Sequence, residues 1–136
     1  MQTILIVNDD PSVLDLVVEI LRRQGFHVLS AKCAADAIQL AGANEQRIDL
    51  LLSDIEMPAM SGPDLGQLLK KSRPDLHVML MSGGGQAGSL LILNYGWAFI
   101  AKPFVPVKLV SMVREVLNSR DRSQLGGQEF DSRKDR

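Results

Sequence analysis

TILIVNDDPSVLDLVVEILRRQGFHVLS, residues 3–30, holds one complete strand–helix–strand unit. Thr3–Val7 is apolar and rich in β-branched residues, as a strand buried on both faces should be. Asp10 is placed to cap a helix, and Pro11 suits its first position. Val13, Leu14, Leu16, Val17, Ile20 and Leu21 recur at helical spacing and predict the buried face. Gly25 stops the helix, and Phe26–Ser30 is expected as the second strand.

The same alternation continues outward. Ala34–Ala41 predicts an Ala-rich helix and Ile48–Ser53 (IDLLLS) a third, mainly apolar strand. Pro63–Lys71 predicts a helix, and His77–Met81 a fourth strand. Gly83-Gly84-Gly85 opens a loop into a weak helix around Ala87–Leu93. Ala98–Ile100 is the fifth strand, and Val107–Leu117 the last helix, with Leu109, Val110, Val113, Val116 and Leu117 facing inward. Strands alternating with helices imply parallel βαβ units, and right-handed crossovers put helices on both faces of the sheet. The expected class is α/β, a doubly wound five-stranded parallel sheet.

Composition sets the outer limits. With 136 residues, 46% of them apolar, the chain can bury a core as a single domain. Fifteen basic against sixteen acidic residues leave a net charge of -1, without the basic excess of a dedicated nucleic-acid binder. No apolar run approaches the roughly 20 residues that span a bilayer. The opening MQTILIVNDD lacks the basic start of a signal peptide, and the single cysteine, Cys33, excludes an internal disulfide. A cytoplasmic location is expected. Residues 118–136 carry five basic and four acidic residues but only Leu125 and Phe130 as large apolar ones. Such a segment buries too little surface to offset its ordering entropy. The expected division is a folded domain over 1–117 and a disordered charged tail over 118–136.

A doubly wound sheet takes ligands outside the carboxyl ends of its strands. The first strand runs into Asn8, Asp9 and Asp10, the third into Asp54, the fourth into Ser82 and the fifth into Lys102-Pro103. Neighbouring strands lie about 4.8 Å apart, so Asp9 and Asp54 are expected to share one pocket. Two close carboxylates repel unless a cation joins them, and hard oxygen ligands suit Mg²⁺. A hydroxyl from Ser82 and an ammonium from Lys102 complete a site for a tetrahedral anion, in which a carboxylate attacks phosphorus. His27 and His77 have no Cys or His neighbours in the sequence and are expected in packing or solvent roles, and Cys33, without a basic partner, is expected as an inert small residue.

With these residues in place, the sequence resembles the response-regulator receiver domains of two-component signalling over residues 3–117. ILIVNDDPSVLDLV resembles the family's acidic opening, LLLSDIEMPAMSG its phosphoacceptor segment, MLMSGG its fourth strand and FIAKPF its Lys-Pro segment. The resemblance implies a flavodoxin-like sheet of order 2-1-3-4-5. It implies Asp54 as phosphoacceptor, and Asp9, Asp54 and the Glu56 backbone carbonyl as Mg²⁺ ligands. Asn8 stands where the family has an acid acting on the ion through water. Ser82 and Phe99 match switch positions, and Lys102 matches the family's cation. The implied function is phosphorelay signalling, with a histidine kinase or phosphotransfer protein as donor and a downstream protein as target. Self-catalysed transfer and autodephosphorylation are expected rather than enzymatic turnover, and no direct contact with nucleic acid or membrane. Asn8 motivates an alternative, a receiver-like interaction module that works without phosphorylation. A flavodoxin-type FMN enzyme is disfavoured, because the acidic loop after the first strand repels phosphate.

Overall fold

The computed structural model describes residues 1–43, 45–83 and 95–119. The expected helix at Ala87–Leu93 lies outside them, as does the charged segment beyond Ser119. The described elements are β1 (Thr3–Val7), α1 (Pro11–Arg23), β2 (His27–Ala31), α2 (Ala34–Ala43), β3 (Leu50–Asp54), α3 (Gly62–Ser72), β4 (His77–Ser82), β5 (Ala98–Ala101) and α4 (Pro106–Asn118). The five strands form one parallel sheet of order β2-β1-β3-β4-β5. This is the doubly wound arrangement expected.

Strand alternation sorts the apolar side chains into two cores. Ile4, Ile6, Leu50, Leu52, Met79, Met81 and Ile100 pack under α1 and α4. Leu5, Val7, Leu51, Val78 and Leu80 pack under α2 and α3. Every residue of β1 and β3 is buried, which is why Ile4–Val7 and Leu50–Leu52 read as apolar runs without alternation.

Most element ends lie one or two residues from expectation, and three boundaries and one face have a visible physical cause. Phe26 precedes β2 rather than opening it, because its amide bonds to the Leu21 carbonyl and Gly25 turns the chain at φ +93°. β3 begins at Leu50, after Asp49 has tied β1 and Arg47 with its two carboxylate oxygens, 2.8 Å from the Thr3 amide and 2.9 Å from Arg47 Nε. β4 extends to Ser82 through its pairing with Ala101. Leu16, expected on the buried face of α1, is 52% exposed. Leu14, Val17 and Leu21 fill that face, and Leu16 lies off their stripe.

His77 opens β4 with its Nε2 buried and without a hydrogen-bond partner among the described residues. Burial chiefly, then the Lys70 charge, holds its imidazole below the ordinary histidine pKa, while Asp49 and Asp75 pull the other way. The folded state therefore takes up its proton less readily than the unfolded chain. Stability from this residue is fully present above the unfolded value, about pH 6.5, and is lost as pH falls from there through the lowered folded value. Denaturant melts between about pH 7.5 and 5.5 are expected to show this decline in the wild type and a smaller one in His77→Gln.

Candidate functional site at the carboxyl edge of the sheet

β1 and β3 are central neighbours, with Val7 paired to Ser53. The next position on each strand is Asn8 and Asp54. Asn8 is fully buried, and its Oδ1 accepts from the Asp10 amide at 2.8 Å. That bond closes a turn which hands the chain to Asp10. The Asp10 carboxylate then caps α1, accepting from the amides of Ser12 at 2.9 Å and Val13 at 3.4 Å. Asp9 is left exposed at the mouth of the site.

Asp54 ends β3 and is 8% exposed. Lys102, just past β5, places Nζ 3.3 Å from Asp54 Oδ1. The Lys102 amide bonds to the Ser82 carbonyl at 2.6 Å, which sets the lysine beside the buried end of β4. Burial raises the Asp54 carboxyl above its ordinary pKa. The Lys102 charge and hydrogen bond oppose this, and the Asp9 charge reinforces it. Asp9 is thus within electrostatic reach of Asp54. Ser82 is buried at the same edge, and Phe99 packs part-buried against the α2–α3 core. Glu56 follows with its side chain exposed.

The oxygen donors here are two carboxylates and backbone carbonyls, with no cluster of three metal-ligating side chains among the described residues. That set fits a hard cation that keeps several waters, as Mg²⁺ does. Asp9 and Asp54 beside the one ammonium of Lys102 also leave net negative charge for such an ion to neutralise.

Two residues that the sequence reading passed over support Asp54 from behind. Ser53 Oγ donates to the Asp54 carbonyl at 2.9 Å. Gly62, the first residue of α3, abuts the same carbonyl so closely that a Cβ there would collide with it. The only signal was the glycine closing DIEMPAMSG. Between them, Met60 N bonds to Pro58 O at 2.8 Å around Ala59, whose φ is +73°. This is a γ-turn centred on a residue with a Cβ, a strained arrangement. Left-handed backbone costs such a residue about 1–2 kcal/mol, and glycine returns part of that as unfolded-chain entropy. Ala59→Gly is expected to raise stability by up to about 1 kcal/mol, read from the denaturant midpoint.

Tyr95 and Trp97 stack with centroids 4.6 Å apart, and Trp97 lies over Gly66 of α3.

A buried aspartate on the central strand, with a lysine 3.3 Å away and the charge of a second acid felt by it, thus sits at the carboxyl edge of a doubly wound α/β sheet. The family model of the response regulator receiver domain matches residues 4–114, and the chain belongs to that family. It is 33% identical over 118 residues to the transcriptional regulatory protein CpxR of Escherichia coli, covering 86% of this chain and 50% of that one. It is 33% identical over 121 residues to the DNA-binding response regulator MtrA of Mycolicibacterium smegmatis, covering 88% and 52%. The chain thus spans about half the length of these relatives. A CheY-like receiver structure from Methanospirillum hungatei superposes with TM-score 0.79 at 30% identity, covering 90% of this chain and 98% of that one. The Thermotoga maritima response regulator TrrA, solved in complex with Mg²⁺-BeF, superposes with TM-score 0.73 at 25% identity, covering 85% and 99%. Among the described residues no helix is long and apolar enough to cross a membrane.

Proposed function

We propose that this receiver accepts a phosphoryl group on Asp54 from the phosphohistidine of a kinase or phosphotransfer protein. The observation that carries the reading is the buried Asp54 carboxylate, 3.3 Å from Lys102 Nζ at the carboxyl end of a central strand. A carboxylate oxygen of Asp54 attacks phosphorus, the bond from phosphorus to the donor nitrogen breaks, and its electron pair leaves with the imidazole. Lys102 meets the charge that gathers on the phosphoryl oxygens, and the Ser82 hydroxyl binds one of them. Asp9, Asp54 and the Glu56 carbonyl would hold Mg²⁺, which when bound supplies positive charge against the same oxygens. The phosphorylated site then biases a two-state surface through Ser82 and Phe99, and a downstream protein reads that surface.

The raised Asp54 pKa supports this reading, because burial leaves its carboxylate poorly solvated and so ready to react. The test is incubation with acetyl phosphate and Mg²⁺, followed by borohydride reduction and peptide mapping. The expected product is one reduced acyl phosphate, at residue 54. No adduct at any Mg²⁺ concentration favours the phosphorylation-independent interaction module.

A further inference from the structure

The Asn8 side chain is wholly buried, and its Nδ2 has no hydrogen-bond partner among the described residues. The amide orientation is not arbitrary. Oδ1 accepts the Asp10 N–H at 2.8 Å, and a flipped amide would set two donors against each other there. Nδ2 is therefore a buried donor with no acceptor among the described residues, and buried donors are nearly always met by a partner.

Its position says what arrives. Ile4 and Ile6 of β1 share one core with Leu50 and Leu52 of β3. Continued by one more step of two residues, that row sets Asn8 beside Asp54, one strand spacing away, about 4.8 Å. Val7 pairs with Ser53, which puts the two side chains at the same height along the sheet. Lys102 occupies one oxygen of the Asp54 carboxylate. An oxyanion added to Asp54 would bring new acceptors into reach of Nδ2.

We infer that Asn8 Nδ2 donates a hydrogen bond to an oxygen of the phosphoryl group carried by Asp54, acting beside Lys102 as an oxyanion donor. The inference rests on Asp54 being the phosphoacceptor. It turns Asn8 from a missing carboxylate into a working contact. An acid at this position would repel the incoming phosphoryl oxygens and rely on a cation to mask both charges. The amide adds no charge and binds the oxygen directly. The pocket thereby exchanges affinity for free divalent cation for direct affinity toward the anion.

The test uses the full chain, with acetyl phosphate as donor and Mg²⁺ as the only metal. Side-chain amide resonances of Asn8 are identified by their loss in Asn8→Ala. They are expected to move when wild type is phosphorylated, and to stay in place when Mg²⁺ alone is added. Labelling of Asn8→Ala at saturating Mg²⁺ is expected to slow about ten-fold, the scale of one hydrogen bond to a charged group. Its calorimetric affinity for Mg²⁺ alone should stay within about two-fold of wild type, because no charge changes. Asn8→Asp should bind Mg²⁺ alone about five-fold more tightly, through its added charge. A pure packing role would lower the melting point of Asn8→Ala without moving the amide resonances. Unmoved resonances, or wild-type labelling by Asn8→Ala, overturn the Asn8 contact while Asp54 stands. Absence of any Asp54 label in wild type overturns both.

Discussion

Asp54→Asn is expected to reduce labelling by acetyl phosphate to background while leaving the fold at least as stable as wild type. The first half follows from the site. Asp54 combines burial, a lysine partner and a second acid at one strand end, whereas Asp9 and Asp10 are exposed and Asp10 is engaged in capping α1. The amide of asparagine is a poor nucleophile, so the transfer has no acceptor. The second half follows from the sign of the pKa shift. Burial raises the folded-state pKa of Asp54 above its unfolded value, more than Lys102 lowers it. Whatever the neutral carboxyl contributes to stability is fully present below the unfolded value, about pH 3.9. It is lost as pH rises through the raised folded value, so near pH 7 the ionised carboxylate is a net cost to the fold. Asparagine removes that cost and keeps the shape. Thermal melts near neutral pH, run beside the labelling, separate lost chemistry from lost structure. Labelling of Asp54→Asn at the wild-type level would move the acceptor elsewhere.

The fold was legible where burial was complete. β1 and β3 are covered on both faces, so ILIV and LLL are apolar runs without the polar alternation of a surface strand. Legibility fell where a side chain reaches out of its own element. Phe26 belongs to the turn that ends α1, through its bond to Leu21, although its type suits a strand. Asp49 holds back the start of β3 by contacts with Thr3 and Arg47 that spacing does not announce. Leu16 was misplaced because its neighbours Val13, Leu14, Val17, Ile20 and Leu21 already fill a broad arc, and one more leucine looks like part of it.

The site shows the same division. Asp9, Asp54, Ser82 and Lys102 were visible as polar residues ending apolar strands, and the strand order came from the resemblance rather than from periodicity. The contact of Lys102 with Asp54 needed the parallel sheet to bring β5 round to β3 past β4. The orphaned amide of Asn8 could not be read from residue type, because it depends on which atom Asp10 takes. Gly62 left the least trace, since a contact made by the absence of a side chain has no chemical signature in a sequence.

Gly62→Ala is expected to lower stability by roughly 2–3 kcal/mol, a value at the upper end for forcing a methyl into a packed interior. The added Cβ would overlap the Asp54 carbonyl oxygen, and would lie 3.0 Å from the carbonyl carbon and 3.1 Å from Ser53 Oγ. The obstacle is backbone of the central strand, which no rotamer change can clear. Relief requires either that α3 back away from the sheet or that the Asp54 peptide rotate. The first opens the core beneath Leu65 and Leu69, which α3 buries. The second shifts the acceptor itself, and a misplacement of about 1 Å can cost about 100-fold in rate. Labelling should therefore fall even at low temperature, where the variant is still folded. Other glycines serve as controls. At Gly66 a Cβ would stand 3.1 Å from the Trp97 ring and 3.2 Å from Val78 Cγ1, side-chain atoms that can yield, so Gly66→Ala should cost less. Gly42 lies in α2, where no described residue comes within 4 Å of the place a Cβ would take, so Gly42→Ala should stabilise by about 0.5–1 kcal/mol. Denaturant midpoints in the order Gly42→Ala, wild type, Gly66→Ala, Gly62→Ala would match the three environments. A Gly62→Ala midpoint equal to wild type would mean that α3 does not press on the Asp54 carbonyl, and the support of the acceptor from behind would fall with it.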